Sequence, residues 1–393
     1  MKRTTLALLA GSLIAGLLVA APPAASAAPI PEPDQDAFYQ PAPGYESKAP
    51  GSVLKQRPVT VTGLGIPLPV KAFQVQSRST DAKDRPVTVV STVIVPLTAY
   101  PGGARPLLSY QPATDSLGDQ CNPSYTLRTG LEKEIPLLAL GLAKGWAVVV
   151  TDYQGPRDAY GAGRMEGHAV LDGVRATLAS PEAGLSARTK VGLWGYSGGG
   201  LATGWAAELQ PSYAPELNVT GVASGGTPAD LTAAGRQMDG GPFAGLFLAA
   251  AIGVSREYPE LLGIFNARGN QLIAAMDDLC VTEEALYAFH SIKQYSDSPD
   301  PLTEPVAREV LAKNKMGTNA PTAPVYLYHS KFDELIPWAV GKNLEDAWCA
   351  KGAKVAFYTD YLSEHNVLAV TGGPGAVAYL SARFAGIKAP STC

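Results

Sequence analysis

One serine stands where a chain presents a nucleophile: Gly195-Tyr196-Ser197-Gly198-Gly199, within LWGYSGGG. The pattern G-x-S-x-G makes a sharp turn between a strand and a helix and holds its serine in a strained backbone conformation. Glycine is required two positions to either side because so tight a turn leaves no room for a Cβ atom. The following helix N-terminus and the free N–H of Gly198 favour negative charge on a bound acyl oxygen. VGLW precedes the turn and LATGWAAEL follows it, so the strand–turn–helix context is present. Three glycines in a row also suggest a phosphate loop. No lysine follows them, and no frame through Leu201, Ala202 and Thr203 completes G-x-G-x-x-G, so both nucleotide readings fall.

A serine hydroxyl attacks only when a base takes its proton, and the base needs an acid to orient it. Around such a turn the acid and then the histidine follow the serine in the chain. Three histidines follow Ser197: His290, His329 and His365. His290 falls inside a helical pattern and reads as a surface or packed residue. His329 ends an apolar strand, with too little chain before it for an acid on a preceding strand, and reads as a core-edge histidine. His365, in YLSEHN after the last strand, is the expected base. The acid is expected after the preceding strand, in HSKFDELIP, where Asp333 is preferred and Glu334 is second. Asp360 leaves the same strand as His365 and is expected to point elsewhere. A second oxyanion N–H must come from the loop QPATDSLGDQC. That loop has no HGGG run, and Asp115 is the candidate there.

These residues need a scaffold that brings strand ends together. Apolar, β-branched runs predict strands at Ala72–Ser77, Val87–Val95, Pro106–Tyr110, Ala147–Asp152, Lys190–Trp194, Val219–Ser224, Pro324–His329 and Lys354–Tyr358. The later runs are short and continuously apolar, as in parallel strands covered on both faces. Helical patterns lie at Ile135–Lys144, Gly167–Ala179, Gly199–Glu208, Val340–Lys351 and Val367–Phe384. Alternation of this kind predicts an α/β fold with a mostly parallel sheet. Residues 59–228 and 324–393 form its core. Between them residues 229–323 are too many for one strand–helix–strand connection and read as a helical insertion, with patterns at Glu283–Tyr295 and Glu304–Lys315. Its most apolar piece, FAGLFLAAAIG (Phe243 to Gly253), is expected to be a helix buried against the core, a wall of an apolar tunnel, or both.

The N-terminus reads as a secretory leader over residues 1–27: Lys2 and Arg3, an apolar run from Leu6 to Ala20, and Ala25-Ser26-Ala27 before a cleavage point at Ala28. That run of about 15 residues is shorter than the roughly 20 needed to span a bilayer. Residues 28–58 are proline-rich and read as an extended arm on the domain or a partly disordered one. The formal charge of −4 becomes −6 without Lys2 and Arg3, which argues against nucleic acid and polybasic membrane binding. Cys121, Cys280, Cys349 and Cys393 contain no C-x-x-C pair, so disulfides in an oxidising compartment are expected rather than zinc. Four cysteines allow three pairings; chain order leans to Cys121–Cys280 with Cys349–Cys393 and leaves the others open.

With these residues in view, the chain resembles the secretory lipase family, α/β-hydrolases of the fungal lipase A type. The resemblance rests on DAFYQPAPGYESKAPGSVLKQR, SYQPATDS with Cys121 close behind, VVVTDYQGP, GYSGG, DELIP and EHN. It implies a triad of Ser197, Asp333 and His365, and oxyanion N–H groups on Asp115 and Gly198. It also implies a helical cap over the insertion, a Cys121–Cys280 bridge from the oxyanion loop to the cap, and secretion. The substrate implied is a lipid or medium-to-long acyl ester, as for a triacylglycerol lipase, met at times at a lipid–water interface. Neither a metal nor an organic cofactor is implied. A general carboxylesterase acting on short, aryl or polymer esters is the nearest alternative. A serine peptidase and a non-catalytic binding protein are the more distant ones.

Overall fold

The computed structural model describes residues 29–393, so the leader read at residues 1–27 lies outside the described residues. The scaffold is a nine-stranded sheet. Its strands in chain order are β1 (Val53–Pro58), β2 (Val70–Thr80), β3 (Pro86–Pro96), β4 (Leu107–Gln111), β5 (Ala147–Thr151), β6 (Val191–Tyr196), β7 (Val219–Gly225), β8 (Val325–Ser330) and β9 (Val355–Asp360). In space they run β1-β2-β3-β5-β4-β6-β7-β8-β9. The first three strands and β5 pair antiparallel. From β5 through β4 to β9 all pairs are parallel.

Side-chain alternation explains why the central strands read as unbroken apolar runs. Leu107, Val149, Val191 and Leu193 join one buried cluster, on the face covered by α3 (Gly163–Ala179) and α4 (Gly198–Tyr213). Leu108, Val148, Val150 and Trp194 join a second cluster on the opposite face. There they meet α2 (Ile135–Ala143) and α11 (Gly373–Phe384). Each such side chain contributes about 1.5–3 kcal/mol when fully buried, and both faces of the strands are used.

Three departures from the sequence-based expectations have local causes. The arm ends in sheet: Val53–Pro58 pairs with β2, and Arg57 is held by Asp36 at 2.7 Å. The helix expected over Val367–Phe384 is two helices, α10 (His365–Thr371) and α11, because Gly372-Gly373-Pro374 interrupts it and proline belongs in a first helical turn. Glu283–Tyr295 is not one helix but two short 3-10 turns, Glu284–Tyr287 and Ile292–Tyr295. Its backbone bonds to the turn at residues 239–241: Phe289 N–H donates to the Gly241 carbonyl, Gly240 N–H to the His290 carbonyl, and Ile292 N–H to the Asp239 carboxylate.

The insertion between β7 and β8 also carries α5 (Leu231–Met238), α6 (Ala244–Glu257), α7 (Ala267–Met276) and α8 (Pro305–Lys313). Two disulfides form, Cys121–Cys280 and Cys349–Cys393. The first ties the insertion to the segment between β4 and helix α1 (Pro123–Thr129). Alongside it, Leu117 N–H donates to the Leu279 carbonyl at 2.9 Å and Val281 N–H to Ser116 Oγ at 3.0 Å. Among the described residues no helix is long and apolar enough to cross a membrane.

Candidate active site

Ser197 sits between the end of β6 and the start of α4 with φ +55° and ψ −123°. This conformation is costly for a residue with a Cβ atom and persists because its neighbours enforce it. Ser197 N–H is tied to the Gly225 carbonyl at the end of β7. A Cβ atom on Gly195 would lie 2.2 Å from the Gly199 carbonyl oxygen, and one on Gly199 would lie 1.9 Å from that of Gln111. Both glycines of the motif are therefore required by space.

The parallel strands bring the other two residues to the same edge. His365 begins α10, after β9, and Asp333 lies in the loop after β8. His365 Nε2 is 2.9 Å from Ser197 Oγ, and His365 Nδ1 is 2.7 Å from Asp333 Oδ2. His365 and Asp333 are both buried. The other carboxylate oxygen, Asp333 Oδ1, accepts the N–H groups of Leu335 and Ile336 at 3.0 and 2.7 Å. Burial works to raise the Asp333 carboxyl, but the N–H groups of His329 and His365 beside it outweigh burial and hold the group well below the ordinary carboxylate range. A carboxylate kept ionised beside Nδ1–H leaves Nε2 unprotonated and facing the hydroxyl, the arrangement a general base needs.

Glu334, the second candidate acid, meets the same histidine elsewhere: its Oε2 accepts the backbone N–H of His365 at 3.0 Å. Asp360 accepts the N–H groups of Leu362 and Ser363 and closes a turn. His290 lies in the insertion against Tyr295. Two contributions escaped the sequence reading. Tyr196, the variable residue of the motif, donates its hydroxyl to the His365 carbonyl at 2.7 Å. His329, expected at the core edge, is buried there and also lies 3.3 Å from Asp333 Oδ2.

Asp115 lies in the loop after β4 with φ +45°, its side chain buried directly over Gly198. The loop is fixed from both sides. Thr114 N–H donates to the Tyr153 hydroxyl, which itself donates to the Pro112 carbonyl, and Ala113 N–H donates to Glu134. Gly198 opens α4, where first-turn N–H groups have no intrahelical partner.

The site opens into a cavity of about 350 Å3. Asp115, Ser197, Gly198 and His365 line it together with other residues of the sheet-bearing core, and the insertion adds Phe247, Ala250 and Val254 of α6 among others. That helix is both buried against the core and a wall of the cavity, so the two expectations for FAGLFLAAAIG hold together.

The insertion also buries Glu284, whose two carboxyl oxygens lack a hydrogen-bond partner among the described residues. Burial first, and the charge of Asp115 second, push its pKa to about 9. In the unfolded chain it titrates near its ordinary 4.5, so across the interval up to about 9 the folded protein holds a proton that the unfolded chain has released. The stability from this group is complete below that interval and is lost as pH rises through it. The thermal midpoint of Glu284→Gln should match the parent near about pH 4 and exceed it near about pH 8. Equal differences at both pH values would contradict the assignment.

Comparison with known proteins gives the family. Residues 120–392 match the family described as secretory lipase. The chain is 38% identical over 381 residues to secreted triacylglycerol lipase LIP4 of Malassezia globosa, covering 92% of this chain and 83% of that one. It is 37% identical over 369 residues to a probable inactive lipase of Mycobacterium tuberculosis, covering 90% and 83%. Among solved structures, the closed state of Candida antarctica lipase A superposes with a TM-score of 0.86 at 30% identity, over 93% of this chain and 89% of that one. With its mostly parallel sheet and a serine presented at a strand–helix turn, the chain belongs to the secretory lipase family, ester-hydrolysing serine hydrolases of α/β-hydrolase fold.

Proposed function

We propose that the protein is a secreted triacylglycerol lipase working through an acyl-enzyme on Ser197. His365, oriented by Asp333, takes the Ser197 proton as Oγ attacks the ester carbonyl. The N–H groups of Gly198 and Asp115 receive the oxyanion, each such donor being worth about 3–4 kcal/mol in the transition state. The protonated His365 gives its proton to the departing glycerol oxygen. Water, deprotonated by the same imidazole, then releases the fatty acid. Residues 229–323 act as the cap that encloses the acyl chain.

One observation carries this reading: the unbroken relay from Ser197 Oγ through His365 to Asp333, opening into a largely apolar cavity. It matters because family membership alone does not carry activity, one relative being named as a probable inactive lipase. Secretion is supported by the leader pattern and by two disulfides with no free cysteine among the described residues. The direct test is hydrolysis of a long-chain triacylglycerol emulsion by the purified protein. Release of long-chain fatty acid is expected. Turnover of soluble acetyl or butyryl esters with the emulsion left untouched would favour a carboxylesterase.

An apolar rim beside the site supports contact with the lipid surface. Phe332, Tyr361, Leu362, Val367 and Val370 are all exposed, Leu362 at 94%. They lie on the loops after β8 and β9 and on α10, whose His365, Asn366 and Ala369 line the cavity. Leu362→Glu with Val370→Glu should lower emulsion hydrolysis by about tenfold or more, since each side chain forfeits about 1.5–3 kcal/mol of apolar burial. The rate on a soluble short ester should stay unchanged. Equal losses on both substrates would remove the rim from interfacial binding.

A further inference from the structure

His329 occupies the fifth position of β8, four residues before Asp333, and is buried. Its Nε2 is 3.0 Å from the Ile336 carbonyl oxygen and 3.3 Å from Asp333 Oδ2. Both neighbours are acceptors, so the nitrogen facing them carries the proton. The shorter contact is the hydrogen bond to the carbonyl, and the carboxylate oxygen lies beside it within electrostatic reach.

Ile336 takes part twice. Its N–H donates to Asp333 Oδ1 at 2.7 Å, while its carbonyl accepts from His329. A closed circuit results: Asp333 Oδ1 to the Ile336 N–H, the Ile336 carbonyl to His329 Nε2–H, and that N–H edge back to Asp333 Oδ2. The circuit sets the rotation of the carboxylate plane, and Oδ2 is left pointing at His365 Nδ1, 2.7 Å away. Helix α9 (Trp338–Ala350) closes on the other edge of the ring. A Cβ atom on Gly341 would stand 2.6 Å from His329 Nδ1, so the imidazole is confined between α9 and the acid loop.

We propose that His329 is a positioning residue for the ester hydrolysis: its Nε2–H clamps the Asp333–Ile336 turn and aims the Asp333 carboxylate at His365. The proposal rests on the reading of Ser197, Asp333 and His365 as the catalytic set. Strong depression of the Asp333 carboxyl by both histidines agrees with it. His329 touches neither the serine nor the space an ester would fill, so its effect belongs to the chemical step and not to substrate binding.

The test is a set of three substitutions assayed on a soluble ester. In His329→Gln an amide N–H stands at the same reach from Cα as Nε2. In His329→Leu size is kept and the donor is lost, and in His329→Asn a donor is kept that is too short to reach. His329→Leu and His329→Asn should lose about 10- to 100-fold in kcat, the scale of a catalytic group displaced by a fraction of an ångström to an ångström. Their KM should stay within about twofold, and His329→Gln should recover kcat to within about threefold of the parent. If His329→Leu does not fold, the Asn and Gln pair carries the comparison. Parent-like kcat in the Asn variant, or losses in Gln as large as in Asn, would overturn the proposal. Ser197→Ala is measured alongside. Retained activity there would overturn the catalytic set itself. An inactive Ser197→Ala beside a fully active His329→Asn would overturn only the positioning role.

Discussion

Ser197→Ala loses turnover of soluble and emulsified esters alike, with kcat falling by about a million-fold, the scale seen when a triad nucleophile is removed. Among the described residues the Ser197 hydroxyl, 2.9 Å away, is the hydrogen-bond partner of His365 Nε2, and it lines the cavity beside Gly198 and Asp115. Stability should be almost unchanged. Alanine keeps the Cβ atom and so the strain of φ +55°, and the backbone bond from residue 197 to the Gly225 carbonyl is unaffected. Unaltered thermal unfolding beside lost turnover separates chemistry from folding. Turnover near the parental rate would place the nucleophile elsewhere.

Asp333→Asn should cost about ten-thousandfold in kcat, because an amide turned towards His365 favours the wrong imidazole tautomer. The neighbouring Glu334→Gln should cost less than about tenfold, since the amide oxygen of glutamine still accepts the His365 backbone N–H. The contrast is sharp because both carboxylates hold the same histidine, one by its ring and the other by its backbone. Measuring kcat and KM for both variants on one soluble ester decides between them. A larger loss in Glu334→Gln would make Glu334 the acid.

The chemistry was legible in the sequence because it depends on short local patterns at strand ends. A turn as tight as that at Ser197 demands its glycines, and the order of serine, acid and histidine follows from the order of β6, β8 and β9. Eight of the sheet strands were equally legible as short apolar runs bounded by loops. The ninth was not: Val53-Leu54-Lys55-Gln56-Arg57-Pro58 shows neither strict alternation nor a continuous apolar run. It becomes a strand through its pairing with β2 and the grip of Asp36 on Arg57. Likewise the segment Glu283–Tyr295 has helical periodicity but bonds to residues 239–241, a tertiary preference that overrides a weak local one.

The roles of Tyr196, Glu334 and His329 were hidden for a related reason. Each reaches across strands or loops to hold a catalytic candidate by its backbone or its far side, and no spacing in the chain encodes that approach. Asp115 was placed by its loop alone; the fixing of that loop by Tyr153 and Glu134 emerges only when β4, β5 and α2 stand together. The residues of the insertion depend most on tertiary packing, and they line much of the cavity.

The most direct measurement is covalent labelling of the purified, folded protein by a fluorophosphonate, with the modified peptide identified by mass spectrometry. The account predicts one phosphonylated residue per chain, Ser197, with hydrolysis of triacylglycerol lost in proportion to labelling. Absence of labelling, or a label on any other residue with Ser197 unmodified, would contradict it.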